Sequence, residues 1–178
     1  MNNPKNCTPP LDESYWVLAG KLLAGEYPGR REELETRKRI QGLIQAGIRI
    51  CIDLTKPGEM EPSYREIFLE ELSQYGHDGN YYHFPIYDFG IPSEEQLVRT
   101  LDKIDESIAG NQHVYVHCRA GIGRTGLVVG CYLARHGKTG DEALMAIKQL
   151  RSCVSNSWMQ SPETDAQVEY VKNWGVGK

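Results

Sequence analysis

The residues best suited to chemistry lie between Val114 and Gly126, a stretch that reads V-Y-V-H-C-R-A-G-I-G-R-T-G. Cys118 is a nucleophile by type. Arg124 carries a planar guanidinium fork that matches two phosphate oxygens. Arg119, Ala120, Gly121, Ile122 and Gly123 form a glycine-bearing loop between them, and Thr125 follows. The apolar run Val114, Tyr115, Val116 leads in as a strand. Leu127, Val128, Val129, Tyr132 and Leu133 lead out at helical spacing. A strand, a tight loop and a helix N-terminus therefore surround one thiol. Backbone N–H groups of such a loop point inward and the helix dipole adds positive charge, so the loop is an anion site. The same field favours a cysteine thiolate. The stretch predicts a phosphate cradle with a nucleophile at its floor.

Two other motifs overlap these letters and fail on context. Gly121 to Gly126 also reads G-x-G-x-x-G, with Asp141 about 20 residues on, as a dinucleotide site requires. That site needs the acid at the end of a second strand. Here Leu127 to His136 reads as helix, Lys138-Thr139-Gly140 as a turn, and Asp141 opens another helix. Thr139 and Glu142 stand at capping-box spacing there. The run His136-Gly137-Lys138-Thr139 resembles the end of a nucleotide P-loop, but the first glycine of that motif would fall at Tyr132.

The pattern His117, Cys118, Gly121, Gly123, Arg124, Thr125, Gly126 resembles the signature loop of the cysteine-dependent protein tyrosine phosphatase superfamily. Every fixed position of that loop is matched. The resemblance implies a two-step reaction in which Cys118 attacks phosphorus and forms a phosphocysteine, with no cofactor and no metal. The leaving oxygen needs a proton, and so a general acid. The family carries an aspartate for this on a loop before the cysteine. Asp88 lies thirty positions before Cys118, in P-I-Y-D-F-G-I-P-S from Pro85 to Ser93. This loop is similar to that of the small dual-specificity branch and lacks the Trp-Pro pair of the large tyrosine-specific enzymes. Asp53, also at a strand end, is the alternative acid. Thr125 is expected to donate to the departing Cys118 thiolate. His117 is expected to hydrogen-bond the loop backbone and orient it, since no zinc-spaced second ligand accompanies it. Gln167, in S-P-E-T-D-A-Q, resembles the glutamine that positions water in parts of the family. The loop residues Arg119 to Arg124 are expected to hold the phosphate.

The implied substrate is a phosphorylated protein or peptide carrying phosphotyrosine, with phosphoserine and phosphothreonine also open. A phosphoinositide or inositol-phosphate phosphatase is the nearest alternative. That branch often has a second basic residue within the loop, where this chain has Ile122 and only Arg119 as a basic addition. A phosphopeptide-binding pseudoenzyme is the other alternative, although the cysteine, arginine and acid are all retained.

Composition sets wider bounds. The chain has 178 residues, of which 40% are hydrophobic and 25% charged, enough for one domain with a sizeable core. A net charge of -4 argues against general nucleic-acid binding. No stretch reaches membrane-spanning length. The five cysteines lack a C-x-x-C pair, which suits a reducing, cytoplasmic setting. Cys51 is the one speculative partner for an oxidised Cys118, because their strands are expected to be neighbours.

The elements that must position the loop follow from periodicity. Residues 1–12 read as a flexible tail and 13–178 as a single domain. Short strands are expected around Tyr15–Leu18 and Leu22–Ala24, then a helix over Arg31–Ala46, a strand over Ile48–Leu54, and a helix over Pro62–Leu72. A strand over Tyr81–Phe84 follows, and then a helix over Ser93–Ala109. The strand bearing His117, its helix, a helix over Asp141–Arg151 and one over Glu163–Trp174 complete the chain. Ser161 is the expected N-cap of the last helix, with Pro162 at its first position. Alternating strands and helices predict an α/β fold: a central, mostly parallel sheet flanked by helices on both faces. Ligands on such sheets bind beyond the carboxyl ends of the strands, where Cys118 falls.

Overall fold

The computed structural model describes residues 9–178. The elements run β1 (Ser14–Leu18), β2 (Leu22–Gly25), α1 (Glu33–Gln45), β3 (Ile48–Asp53), α2 (Arg65–Gln74), β4 (Asn80–His83), α3 (Glu94–Ala109), β5 (His113–His117), α4 (Gly123–Arg135), α5 (Gly140–Leu150) and α6 (Asp165–Lys172). The strands form one sheet in the order β1-β2-β5-β3-β4. Only the edge pair β1·β2 is antiparallel; β2·β5, β5·β3 and β3·β4 are parallel. This is the expected mostly parallel sheet, with β5 at its centre.

The period-two alternation of the strands splits the core in two. On β5, Val114 and Val116 face one layer and Tyr115 the other. On β2, Leu22 and Ala24 face the first layer and Leu23 the second. The first layer packs under Leu97, Leu101 and Ile104 of α3, Leu127 and Cys131 of α4, and Ile147 of α5. The second packs under Ile40, Leu43 and Ile44 of α1 and Phe68 and Leu72 of α2. Helices thus cover both faces. The residues of α4 from Gly123 to Ala134 are all buried, so the helix behind the Cys118 loop is enclosed by protein. Among the described residues no helix is long and apolar enough to cross a membrane.

Two sequence expectations change. The expected tail over residues 1–12 lies mostly outside the described residues, and Leu11 is no tail residue. It is buried in the second core layer, and its carbonyl accepts from both the backbone N–H and the hydroxyl of Ser14. The last helix starts at Asp165 rather than Glu163, capped by Thr164 and not Ser161. Thr164 and Gln167 form a complete capping box, satisfying two N–H groups that a Ser161 cap would leave open. Ser161 is used elsewhere: its hydroxyl donates to Ile122 O at 2.8 Å. The Thr139–Glu142 capping box of α5 is present as expected.

The loop after β5 is fixed to the end of β2. Tyr27 N donates to Arg119 O at 3.0 Å. Gly121 has φ +72°, and a Cβ there would lie 2.5 Å from the carbonyl carbon of Gly25. Both facts demand glycine. Gly121→Ala is therefore expected to cost about 1–3 kcal/mol through backbone strain and clash, and to lower kcat/KM at least as steeply by displacing the loop. Thermal melts and steady-state kinetics on the same sample check both effects.

Candidate active site

Beyond the carboxyl end of β5 lies a cavity of about 180 Å³. Cys118, Arg119, Ala120, Gly123 and Arg124 contribute from the loop and the start of α4, Asp88 and Phe89 from the loop after β4. Glu163, just before α6, completes the lining. A larger cavity, about 420 Å³ between α5 and the 157–161 segment, contains no cysteine. Of the expected phosphate-loop residues, Gly121 and Ile122 are buried and do not line the small cavity.

Arg124 is the best-connected group here. It is only 2% exposed. Its Nη1 and Nη2 donate to the two carboxylate oxygens of Glu59 at 2.7 and 2.6 Å, a bidentate pair. Nη1 also donates to Ile86 O at 3.2 Å, and Nη2 lies 3.1 Å from Asp88 Oδ1. Nε is buried and has no partner. The edge formed by Nε and Nη2 is thus the one that Glu59 leaves open, and Asp88 covers half of it. The guanidinium beside Glu59 holds that carboxyl below its usual range.

Cys118 is 3% exposed at the cavity floor. Behind it, His117 Nδ1 lies 3.2 Å from Cys118 O, which can only accept, so Nδ1 carries the proton. Its Nε2 then accepts from the Tyr64 hydroxyl at 2.5 Å. Burial pushes the His117 imidazole down, which keeps it neutral and fits one proton shared out this way. His117 does bond the loop backbone. Asp53 is 4.0 Å from His117 Nδ1, beyond hydrogen-bond reach. Its carboxylate instead accepts from Thr55 N, the Thr55 hydroxyl and the Tyr81 hydroxyl. Asp53 lines a different cavity, whereas Asp88 shares that of Cys118 and Arg124.

Two expected contacts are not made. The Thr125 hydroxyl donates to Gly25 O at 3.4 Å rather than to Cys118. Gln167 is fully buried and its amide is spent: Oε1 accepts from Glu163 N and Thr164 N, and Nε2 donates to Gly90 O at 2.9 Å. It ties the Asp88 loop to the start of α6 and does not line the cavity. Nor is Cys51 placed to cross-link with Cys118. It pairs with Tyr115, three residues earlier on β5, which is roughly 10 Å at strand spacing. It also faces the opposite core layer, and burial pushes its thiol well up.

Sequence reasoning passed over Glu59, Tyr64, Phe89 and Glu163. Phe89 takes a left-handed conformation, φ 57°, uncommon for a bulky residue, and the residue is 60% exposed where it lines the cavity. For Glu59 the one available signal was that a buried arginine requires a carboxylate. The loop after β3 offers both Glu59 and Glu61, and nothing local chooses between them.

Residues 27–138 match the Tc-R-P family, described as "Polymorphic toxin system, DSP-PTPase phosphatase". The chain belongs to this family. The chain is 40% identical over 142 residues to dual specificity protein phosphatase CDC14B of Mus musculus, covering 78% of this chain and 27% of that one. It is 28% identical over 166 residues to a phosphatidylinositol 3,4,5-trisphosphate 3-phosphatase and protein-tyrosine-phosphatase, PTEN1, of Arabidopsis thaliana, covering 92% of this chain and 37% of that one. The chain thus spans less than half the length of either relative. Among solved structures, a mutant form of Tk-PTP superposes with a TM-score of 0.67 at 28% identity, covering 91% of this chain and 93% of that one.

The Arg124–Glu59 pair makes a pH prediction. A carboxyl depressed in the folded state stabilises the fold above its ordinary titration range, and that contribution is lost as pH falls through the depressed value. Glu59→Gln should cost about 2 kcal/mol at pH 7, less than a fully buried pair because Glu59 is 19% exposed. The variant should also lose less Tm than wild type between pH 7 and pH 3. Melts at both pH values check this.

Proposed function

We propose that this protein hydrolyses phosphotyrosine on proteins or peptides through a phosphocysteine at Cys118, with phosphoserine and phosphothreonine open as further substrates. Residues 13–178 act as its phosphatase domain. The observation that carries the reading is that Cys118 and Arg124, whose Nε has no hydrogen-bond partner, line one cavity together with a half-exposed carboxylate, Asp88. The exposed Phe89 ring at the mouth supports an aryl ester, since it offers an apolar face to a phenyl group. The reading implies a reducing, cytoplasmic setting. Among the described residues, Cys51, Cys118, Cys131 and Cys153 are free thiols, which fits.

The reading implies two steps. The phosphate dianion takes the open guanidinium edge and the N–H groups at the start of α4, which stabilise charge on the equatorial oxygens. Asp88 then gives up Arg124, takes a proton from solvent and turns to the leaving oxygen. Cys118 Sγ attacks phosphorus, the ester O–P bond breaks, and Asp88 supplies the proton that lets the alkoxide or phenoxide leave. Water next attacks the phosphocysteine, Asp88, left as carboxylate by the first step, takes the water proton, the P–S bond breaks, and Cys118 departs as thiolate.

The second reading, a phosphoinositide phosphatase, draws on the resemblance to PTEN1, whose name includes a lipid activity. Ile122 in the loop and Phe89 at the mouth favour the protein substrate. Phosphotyrosine peptides, phosphothreonine peptides and phosphoinositides assayed side by side test the choice. The highest kcat/KM is expected on phosphotyrosine, and a higher value on the lipids would reverse the assignment.

Cys118→Ser should abolish turnover while retaining ester binding, measured by calorimetry and kinetics. Asp88→Asn should lower kcat by roughly 10²–10⁴ on phosphotyrosine, and by less on esters with very acidic leaving groups, which need no proton. Arg124→Lys keeps the charge but loses the fork, so kcat/KM should still fall strongly.

A further inference from the structure

Gln167 makes two separable kinds of bond. Its Oε1 caps α6, accepting from Glu163 N and Thr164 N at 3.1 and 3.2 Å. A capping box needs only that acceptor and takes glutamate or glutamine alike. Its Nε2 donates to Gly90 O at 2.9 Å, 77 positions earlier in the chain. The side chain is fully buried, so the donor meets protein and not water. This second bond is one that an ionised glutamate could not make. It calls for glutamine, and it ends on the loop that carries Asp88.

That loop is anchored on both sides of the acid. Before it, Ile86 N donates to Leu54 O at 3.0 Å, and Ile86 O accepts from Arg124 Nη1. After it, Gly90 O is held by Gln167. Between the anchors, Gly90 N donates to Tyr87 O at 2.9 Å and closes a turn with Asp88 and Phe89 at its centre. Phe89 stands at φ 57° there. A bulky residue in the left-handed region persists only where its surroundings over-determine it. The Gln167 bond fixes the carbonyl of the residue that follows. Resting on the reading of Asp88 as the acid, we infer that Gln167 is a positioning residue for it. The amide holds the backbone of the turn, so that only the Asp88 side chain, 47% exposed, need rotate from Arg124 to the leaving oxygen. Gln167 does not line the cavity and acts through Asp88 alone.

Gln167→Glu keeps the acceptor of the cap and removes the donor to Gly90 O. The quantity to measure is kcat/KM, which covers the steps up to the phosphocysteine and leaves out the second use of Asp88. On a phosphotyrosine peptide it should fall roughly 10- to 100-fold, the cost of a slightly misplaced group. On an ester with a very acidic leaving group, which needs no proton, it should hold near wild type, and that also shows the variant is folded. In an Asp88→Asn background the same change should add no further loss, because the two residues act as one unit. Thr164→Ala weakens the cap without touching Gly90, so it should lower Tm and leave the ratio of the two esters unchanged. Should Gln167→Glu not fold, Gln167→Met, of similar length, is read the same way against Thr164→Ala. Equal losses on both esters, a wild-type value on phosphotyrosine, or a full further loss on top of Asp88→Asn overturns the inference. Failure of the underlying reading looks different: Asp88→Asn itself would slow both esters alike, or Cys118→Ser would turn over.

Discussion

A guanidinium buried beneath a cavity is the constraint around which this structure is organised. Arg124 stands on the first turn of a helix enclosed by protein, where a charge is tolerated only if it is paired and hydrogen-bonded. The pairing draws in two loops from separate strands. Glu59 comes from the loop after β3, and Ile86 and Asp88 from the loop after β4. Each strand is parallel to its neighbour, so all three loops leave the same sheet edge. The topology thus delivers a thiol, a base-paired arginine and two acids to one point. The arginine in turn fixes how those loops sit.

Beneath the cavity, a separate polar network fixes the thiol's backbone. Tyr64 donates to His117, and His117 donates to the carbonyl of Cys118. Tyr27 and Tyr64 pack edge-on against the imidazole, which excludes water and keeps the ring neutral. The carboxylate of Asp53 lies nearby but is held by Thr55 and Tyr81. Acids at the sheet edge are therefore sorted by their partners. Asp53 is fully engaged, Glu59 and Asp88 both lie against Arg124, and Glu163 has no counter-ion among the described residues.

What was legible in the sequence follows from range. The strand-loop-helix around Cys118, the period-two strands and the Thr139–Glu142 cap rest on neighbours a few positions apart, and the sequence displays them directly. The place of Asp88 at the cavity of Cys118 was legible because its loop follows a strand and is marked by proline and glycine. The start of α6 was misread because Ser161 and Thr164 both offer a hydroxyl; Gln167 at capping-box spacing from Thr164 decides it. Glu59 and Glu163 were not legible. Their places depend on contacts with residues 124 and 123, across the fold, and no local pattern separates them from surface glutamates. Gln167 shows the reverse: its type suggested a water-positioning role, while its amide is consumed by three backbone groups.

The central claim is covalent catalysis at Cys118 on a phosphoryl group held by Arg124. Its most direct test is rapid acid quench of the enzyme turning over a ³²P-labelled phosphotyrosine peptide, followed by peptide mapping. The account predicts label on the peptide containing Cys118 during turnover and its decay as inorganic phosphate appears. Steady turnover with no labelled protein, or label carried on a different residue, would contradict it.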